Sequence, residues 1–65
     1  MRITYFAETD TFHIEFKPGT VSETRDLDEH TLLDVDAEGK ICSMTIEHAS
    51  TRAGAPEVSY ERVPA

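Results

Sequence analysis

Apolar residues recur at every second position in separate stretches of this chain, and a chain so patterned cannot hide its apolar side as a helix. In TFHIEF, Phe12, Ile14 and Phe16 share one side while His13 and Glu15 share the other. ICSMTIE sets Cys42, Met44 and Ile46 against Ser43, Thr45 and Glu47, and RITYF puts Ile3 and Tyr5 together. A side-chain period of two belongs to a half-buried β-strand, whereas an amphipathic helix repeats its apolar positions every three or four residues. The same stretches concentrate β-branched and aromatic residues, which suit a pleated surface. TLLDVD adds a further strand with Leu33 and Val35 on the core side.

Turn signals separate these runs. AETD (7–10) divides the first two strands, and Pro18-Gly19 in KPGT is placed for a type II turn. VSETRDLDEH (21–30) is polar, with Val21 and Leu27 as its anchors. It reads as an edge strand and loop whose charges discourage pairing with another sheet. EHASTR (47–52) is long enough for one helical turn, and AGAP (53–56) reads as a linker. The last segment alternates Val58, Tyr60 and Arg62 and either adds a strand or trails as an arm.

Five strands with short connections predict a mainly β fold, a small antiparallel β-meander sheet with at most one short helix. The expected organisation is a single small β domain over residues 1–52, followed by a linker and C-terminal tail or extra strand over 53–65. Its core should contain Ile3, Tyr5, Phe12, Ile14, Phe16, Leu33, Val35, Cys42, Met44 and Ile46.

Size and charge narrow the functional classes. At 65 residues the chain is near the lower limit for folding without staples, and its one cysteine excludes an intramolecular disulfide. An unpaired thiol suits a reducing cytoplasm. MRITYF lacks the apolar stretch of a signal peptide, and no apolar run approaches the roughly 18 residues that span a bilayer. Thirteen acidic residues against six basic ones give a net charge of −7. Such a surface repels nucleic acid and anionic membrane; it fits plain solubility first, and it also fits a basic protein partner.

Candidate chemistry is sparse. Asp34, Asp36 and Glu38, followed by Gly39, occupy the opening positions of a calcium-binding loop, but Thr45 stands where that loop needs a bidentate glutamate. The flanks alternate like strands, so the stretch is expected to be a hairpin. Asp36 would begin a type I turn and bond its backbone amides, and Gly39 would take the left-handed conformation after it. His13 and Glu15 share the polar side of their strand and form a possible two-ligand pair, while His30 and His48 stand apart in sequence. Cys42 lies in register with Met44 and Ile46 and is expected in the core, where a thiol behaves as a small hydrophobe. No serine has a nucleophile-elbow context. The chain is therefore expected to be neither an enzyme nor the holder of a cofactor.

Two stretches, ITYFAETDTFHIEF and LDVDAEGKICSMTIEHAS, together resemble a family of very small bacterial and archaeal proteins of unknown function, DUF2283. Its members open with a strand, an aspartate-containing turn and a second strand. They continue with a D-x-D-x-x-G turn and an ending like I-x-x-A-S. Here these features fall at Asp10, at Asp34, Asp36 and Gly39, and at Ile46, Ala49 and Ser50. The resemblance covers residues 1–51; Ser43 and Met44 depart from the Gly-Ile of the pattern, and the tail from Arg52 lies outside it. It implies no catalytic residues, and it implies an accessory role such as the small partner of a toxin-like pair.

The leading expectation is a small acidic non-enzymatic interaction protein that neutralises a basic partner. The alternative is a small metal- or ligand-binding protein using His13/Glu15 or the Asp34/Asp36/Glu38 turn. Charge alone also fits a mimic of DNA. One sheet with an apolar side needs a cover, so a homo-oligomer, a dimer first, is expected to pack through Phe12, Ile14 and Phe16.

Overall fold

The computed structural model describes residues 1–53 and 57–64. Its strands are β1 (Arg2–Phe6), β2 (Thr11–Glu15), β3 (Glu23–Asp28), β4 (Thr31–Val35) and β5 (Ile41–Ile46), and helix α1 (Ala49–Ala53) follows them. They form one sheet in the order β1-β2-β5-β4-β3, and each neighbouring pair is antiparallel. The mainly β class read from the alternation is the class the chain adopts. The meander holds within β1–β2 and within β3–β4–β5, and the two pieces join where β5 pairs with β2.

This order follows from what each strand can tolerate beside it. ICSMTI carries no charge, has short polar residues on one side and can be paired along both edges, so it takes the centre. ETRDLD is exposed at every position and carries four charges, which suits an edge. The connection from β2 must therefore travel from the middle of the sheet to its far margin. That corrects the reading of Pro18-Gly19. Gly39 is the only described glycine with positive φ, so Gly19 cannot supply the left-handed residue of a type II turn. Residues 16–22 instead run across the end of β5 and β4. The amides of Phe16 and Lys17 donate to the Cys42 carbonyl, at 2.8 and 3.3 Å, and the Ser22 amide donates to the Val35 carbonyl at 2.8 Å.

The 36–40 turn forms as its sequence dictates. Gly39 has φ of 82°, and its amide donates to the Asp36 carbonyl at 3.0 Å. One carboxylate oxygen of Asp36 accepts from the amides of Glu38 and Lys40, each at 2.9 Å. The two described glycines should respond differently to alanine. A Cβ on Gly39 meets nothing within 4 Å, so Gly39→Ala should cost only the left-handed penalty of about 1–2 kcal/mol. At Gly19 the Cβ would sit 3.6 Å from the Cys42 thiol, an ordinary contact without backbone strain. Gly19→Ala should be neutral or add up to about 1 kcal/mol. Urea midpoints of the two variants check both expectations.

Strand register sorts the side chains onto two faces. Directly opposed residues share a face, so Ile3, Ile14, Met44 and Leu33 form one row that ends on Arg25 of β3, and Tyr5, Phe12, Ile46 and Thr31 form the next, which ends on Asp28. The opposite face carries Thr4, His13, Thr45, Leu32 and Asp26 in one row and Arg2, Glu15, Ser43, Asp34 and Thr24 in another. Of the ten expected core residues, only Phe12, Val35 and Cys42 are buried, with Ala49 and Thr31 joining them. These lie at the two ends of the apolar face: Phe12 and Thr31 by the β5–α1 corner, Val35 and Cys42 by the 16–22 crossing. The middle of the face, Ile14, Met44 and Leu33, is half-buried. Ile3 and Phe16 are exposed. Val21 and Leu27 do not act as anchors: a bulge between Asp26 and Asp28 turns Leu27 outward, and both are exposed. The 57–64 segment forms no strand, and the linker expected at 53–56 falls, from 54 onward, outside the described residues.

Candidate functional site

Three polar arrangements and one apolar surface hold the residues that could carry a function. The first is a corner where the β1–β2 turn meets the helix. Asp10 has φ of 52°, a conformation that aspartate tolerates better than most residues. It receives the Tyr5 hydroxyl at 2.7 Å, the Ser50 hydroxyl at 2.6 Å and the Ser50 amide at 3.1 and 3.2 Å. Its backbone carbonyl accepts the Ala49 amide at 2.9 Å. The first amides of a helix have no partners within it, and here a turn forty residues away in sequence satisfies two of them. The bonds from Ser50 and then Tyr5 hold the Asp10 carboxyl below its usual range, and the same contact with Asp10 raises the Tyr5 hydroxyl. Beside this corner the His30 and His48 rings meet edge to face, 4.7 Å apart.

The corner is a clasp: each group in it is engaged in closing the sheet onto α1. Asp10→Ala should therefore lower the melting temperature. Ser50→Ala in that background should add less than it does in the wild type, since the two share one contact. A double-mutant cycle measures the coupling.

The second arrangement crosses the polar face. Asp34 receives the Thr24 hydroxyl at 2.7 Å and the Ser43 hydroxyl at 2.7 Å, so three strands are tied in a row. Ser43 first and Thr24 second lower the Asp34 carboxyl, with a smaller contribution from His13. His13 Nδ1 lies 3.2 Å from the Thr45 hydroxyl, and Glu15 shares its face as the alternation predicts. The third arrangement is the 36–40 turn, where Lys17 reaches Asp36 at 2.7 Å. Lys17, then the turn amides, bring the Asp36 carboxyl down to about 2.

These placements scatter the metal candidates. Asp34 points across the polar face, Asp36 into its own turn, and Glu38 lies 3.7 Å from Lys40. Among the described residues, no three His, Cys, Asp or Glu side chains are grouped to hold an ion. The candidate interface residues also differ among themselves. Phe12 is buried beneath Tyr5, with ring centroids 4.9 Å apart, whereas Ile14 is half-buried and Phe16 exposed. Cys42 is buried and free.

Residues 2–50 match the family model described as "Protein of unknown function (DUF2283)". The chain belongs to this family. No curated protein and no solved structure matches it. The DUF2283 match begins at the first residue of β1 and ends at Ser50, so it spans the whole sheet and both sides of the Asp10–Ser50 clasp. It leaves the 57–64 segment outside. The resemblance had singled out Asp10, Ala49 and Ser50 without showing that they meet; the fold gives them one shared role in fastening α1. Asp34, Asp36 and Gly39 likewise prove to be two devices, a cross-strand tie and a turn. No described helix of this DUF2283 protein is long and apolar enough to cross a membrane.

Proposed function

We propose that the protein is a non-enzymatic protein-interaction module that neutralises a basic partner. One observation carries this reading: thirteen acidic residues against six basic ones leave a charge of −7, and the chain has more carboxylates than those engaged in holding the fold. Asp10, Asp34 and Asp36 each bind structural donors. The hydroxyls of Ser43 and Ser50 are taken up by Asp34 and Asp10, whose other bonds also hold the fold, and the one thiol is buried. A half-open apolar surface supports contact with another protein, and the charge of −7 favours a basic one.

The test is capture from extract of the native host with the tagged full chain, at low and high salt. A basic protein retained at low salt and released at high salt is the expected result. Recovery of this chain alone would overturn the reading. Zinc or calcium at millimolar concentration should leave the melting temperature unchanged. A rise that follows the logarithm of ion concentration would favour the ligand-binding alternative instead.

A further inference from the structure

We infer that the apolar face of the sheet is covered by a second copy of this chain, packed face to face about a twofold axis. The inference deepens the interaction reading above and rests on it for the use of that face. Domains are ordinarily built of two packed layers, and here the described residues make one sheet. The molecule measures 36 × 34 × 18 Å with a radius of gyration of 13.0 Å, against about 11 Å for a compact chain of this length. It exposes 5168 Å², where a folded monomer of 7.3 kDa exposes about 4,200 Å². The excess, on the order of 1,000 Å², is close to the roughly 800 Å² that each partner contributes to a standard interface.

The 57–64 segment, exposed throughout, accounts for part of that excess, and it adjoins the open sheet face at Ile3. Ile14, Met44 and Leu33 make the middle of that face, and Ile3 and Phe16 its exposed margin. At that margin an open apolar cleft of about 580 Å³ lies between Met1, Ile3, Val58 and Tyr60. A second copy seated on the face would meet the segment as well as the sheet.

The charge distribution selects the occupant. Across β1, β2, β5 and β4 neither central row of the face, Ile3–Ile14–Met44–Leu33 or Tyr5–Phe12–Ile46–Thr31, carries a formal charge. Charges appear only at the margins: at the β3 edge the two rows end on Arg25 and Asp28, with Arg25 bonded to Glu23 at 3.0 Å, and the 57–64 segment carries Glu57, Glu61 and Arg62. Nothing in the middle of this face would attract a basic protein. A copy of the same chain can approach despite its own charge of −7, because Glu15, Asp26 and Asp34 lie on the opposite face. Glu8, Asp36 and Glu38 lie in turns. A twofold interface needs only one self-complementary patch, and the basic partner is left the acidic outer side.

Light scattering of the full chain at micromolar concentration should give twice the 7.3 kDa chain mass, with a melting temperature that rises with concentration. Ile14→Lys should halve that mass. Because Ile14→Lys could prevent folding, the exposed-margin variant Ile3→Lys/Phe16→Lys provides an independent arm, and it should also run as one chain with a cooperative melt. Thr45→Lys, on the polar face, should keep the doubled mass. A wild-type mass of one chain with a concentration-independent melt overturns the inference, as does a doubled mass that only Thr45→Lys abolishes. A monomer that still captures a basic host protein would remove the second copy and leave the interaction reading standing. A dimer that captures nothing would do the reverse.

Discussion

Phe12→Ala is expected to remove most of the protein's stability, about 3–5 kcal/mol. A chain of this length has about 3–10 kcal/mol in total, so the variant should be largely unfolded near its working temperature. The reason is the small number of buried side chains. Phe12 is the one aromatic among the buried apolar residues; the others are Val35, Cys42 and Ala49. It stands on β2 between Tyr5 and Ile46, its partners on the flanking strands. Its ring lies tilted against that of Tyr5. Truncation would open a void between two strand pairs, and α1 is too short to collapse into it. Phe6 is the control, since it is an aromatic of the same size that is half exposed; Phe6→Ala should change stability by no more than about 0.5 kcal/mol. Urea unfolding followed by circular dichroism, at one fixed protein concentration, separates the two. Equal small losses would mean that Phe12 is not what holds this sheet together.

How much of this was legible in the sequence depends on how local each feature is. The strands were legible because a period of two is written within each segment, and so was the Gly39 turn, whose backbone amides bond within residues 36–40. The sheet order was not. A strand's own alternation says which residues share a face but not which strand lies beside it, and β2 pairs with a strand that begins 26 residues beyond its end. The same holds for Pro18-Gly19: the dipeptide suits a turn, but a β3 at the far margin demands a crossing. Burial was overestimated because alternation marks the apolar face without revealing whether anything covers it. Asp34 looked like a calcium ligand beside Asp36 because the two are close in sequence. But β4 ends at Val35, so Asp36 turns into its own backbone amides while Asp34, still in the strand, reaches Thr24 and Ser43. The Asp10–Ser50 clasp, spanning forty residues, left no local signal beyond the two polar residues themselves.

Acid should unfold the protein over a window set by the same carboxylates. Asp10, Asp34 and Asp36 all have folded-state values below the ordinary 3.8, and that of Asp36 falls to about 2. Each is lowered by donors that exist only in the fold: Ser50 and Tyr5 for Asp10, Ser43 and Thr24 for Asp34, Lys17 and the turn amides for Asp36. The unfolded chain therefore binds more protons in acid than the folded one, and stability must fall as pH drops. The contribution is complete well above 3.8, declines from about there, and for Asp36 is gone near 2. Lys17 and Tyr5 have raised values, so their contributions hold through neutral pH and are lost only in strong alkali. The urea midpoint should accordingly be flat around neutrality and drop steeply below pH 3.8. Asp36→Asn keeps an oxygen for the Glu38 and Lys40 amides and removes the charge that faces Lys17. It should be less stable than the wild type at neutral pH and lose less on acidification, so that the two curves converge near pH 2. Parallel curves, with the variant losing as much as the wild type, would show that Asp36 takes no part in the acid transition.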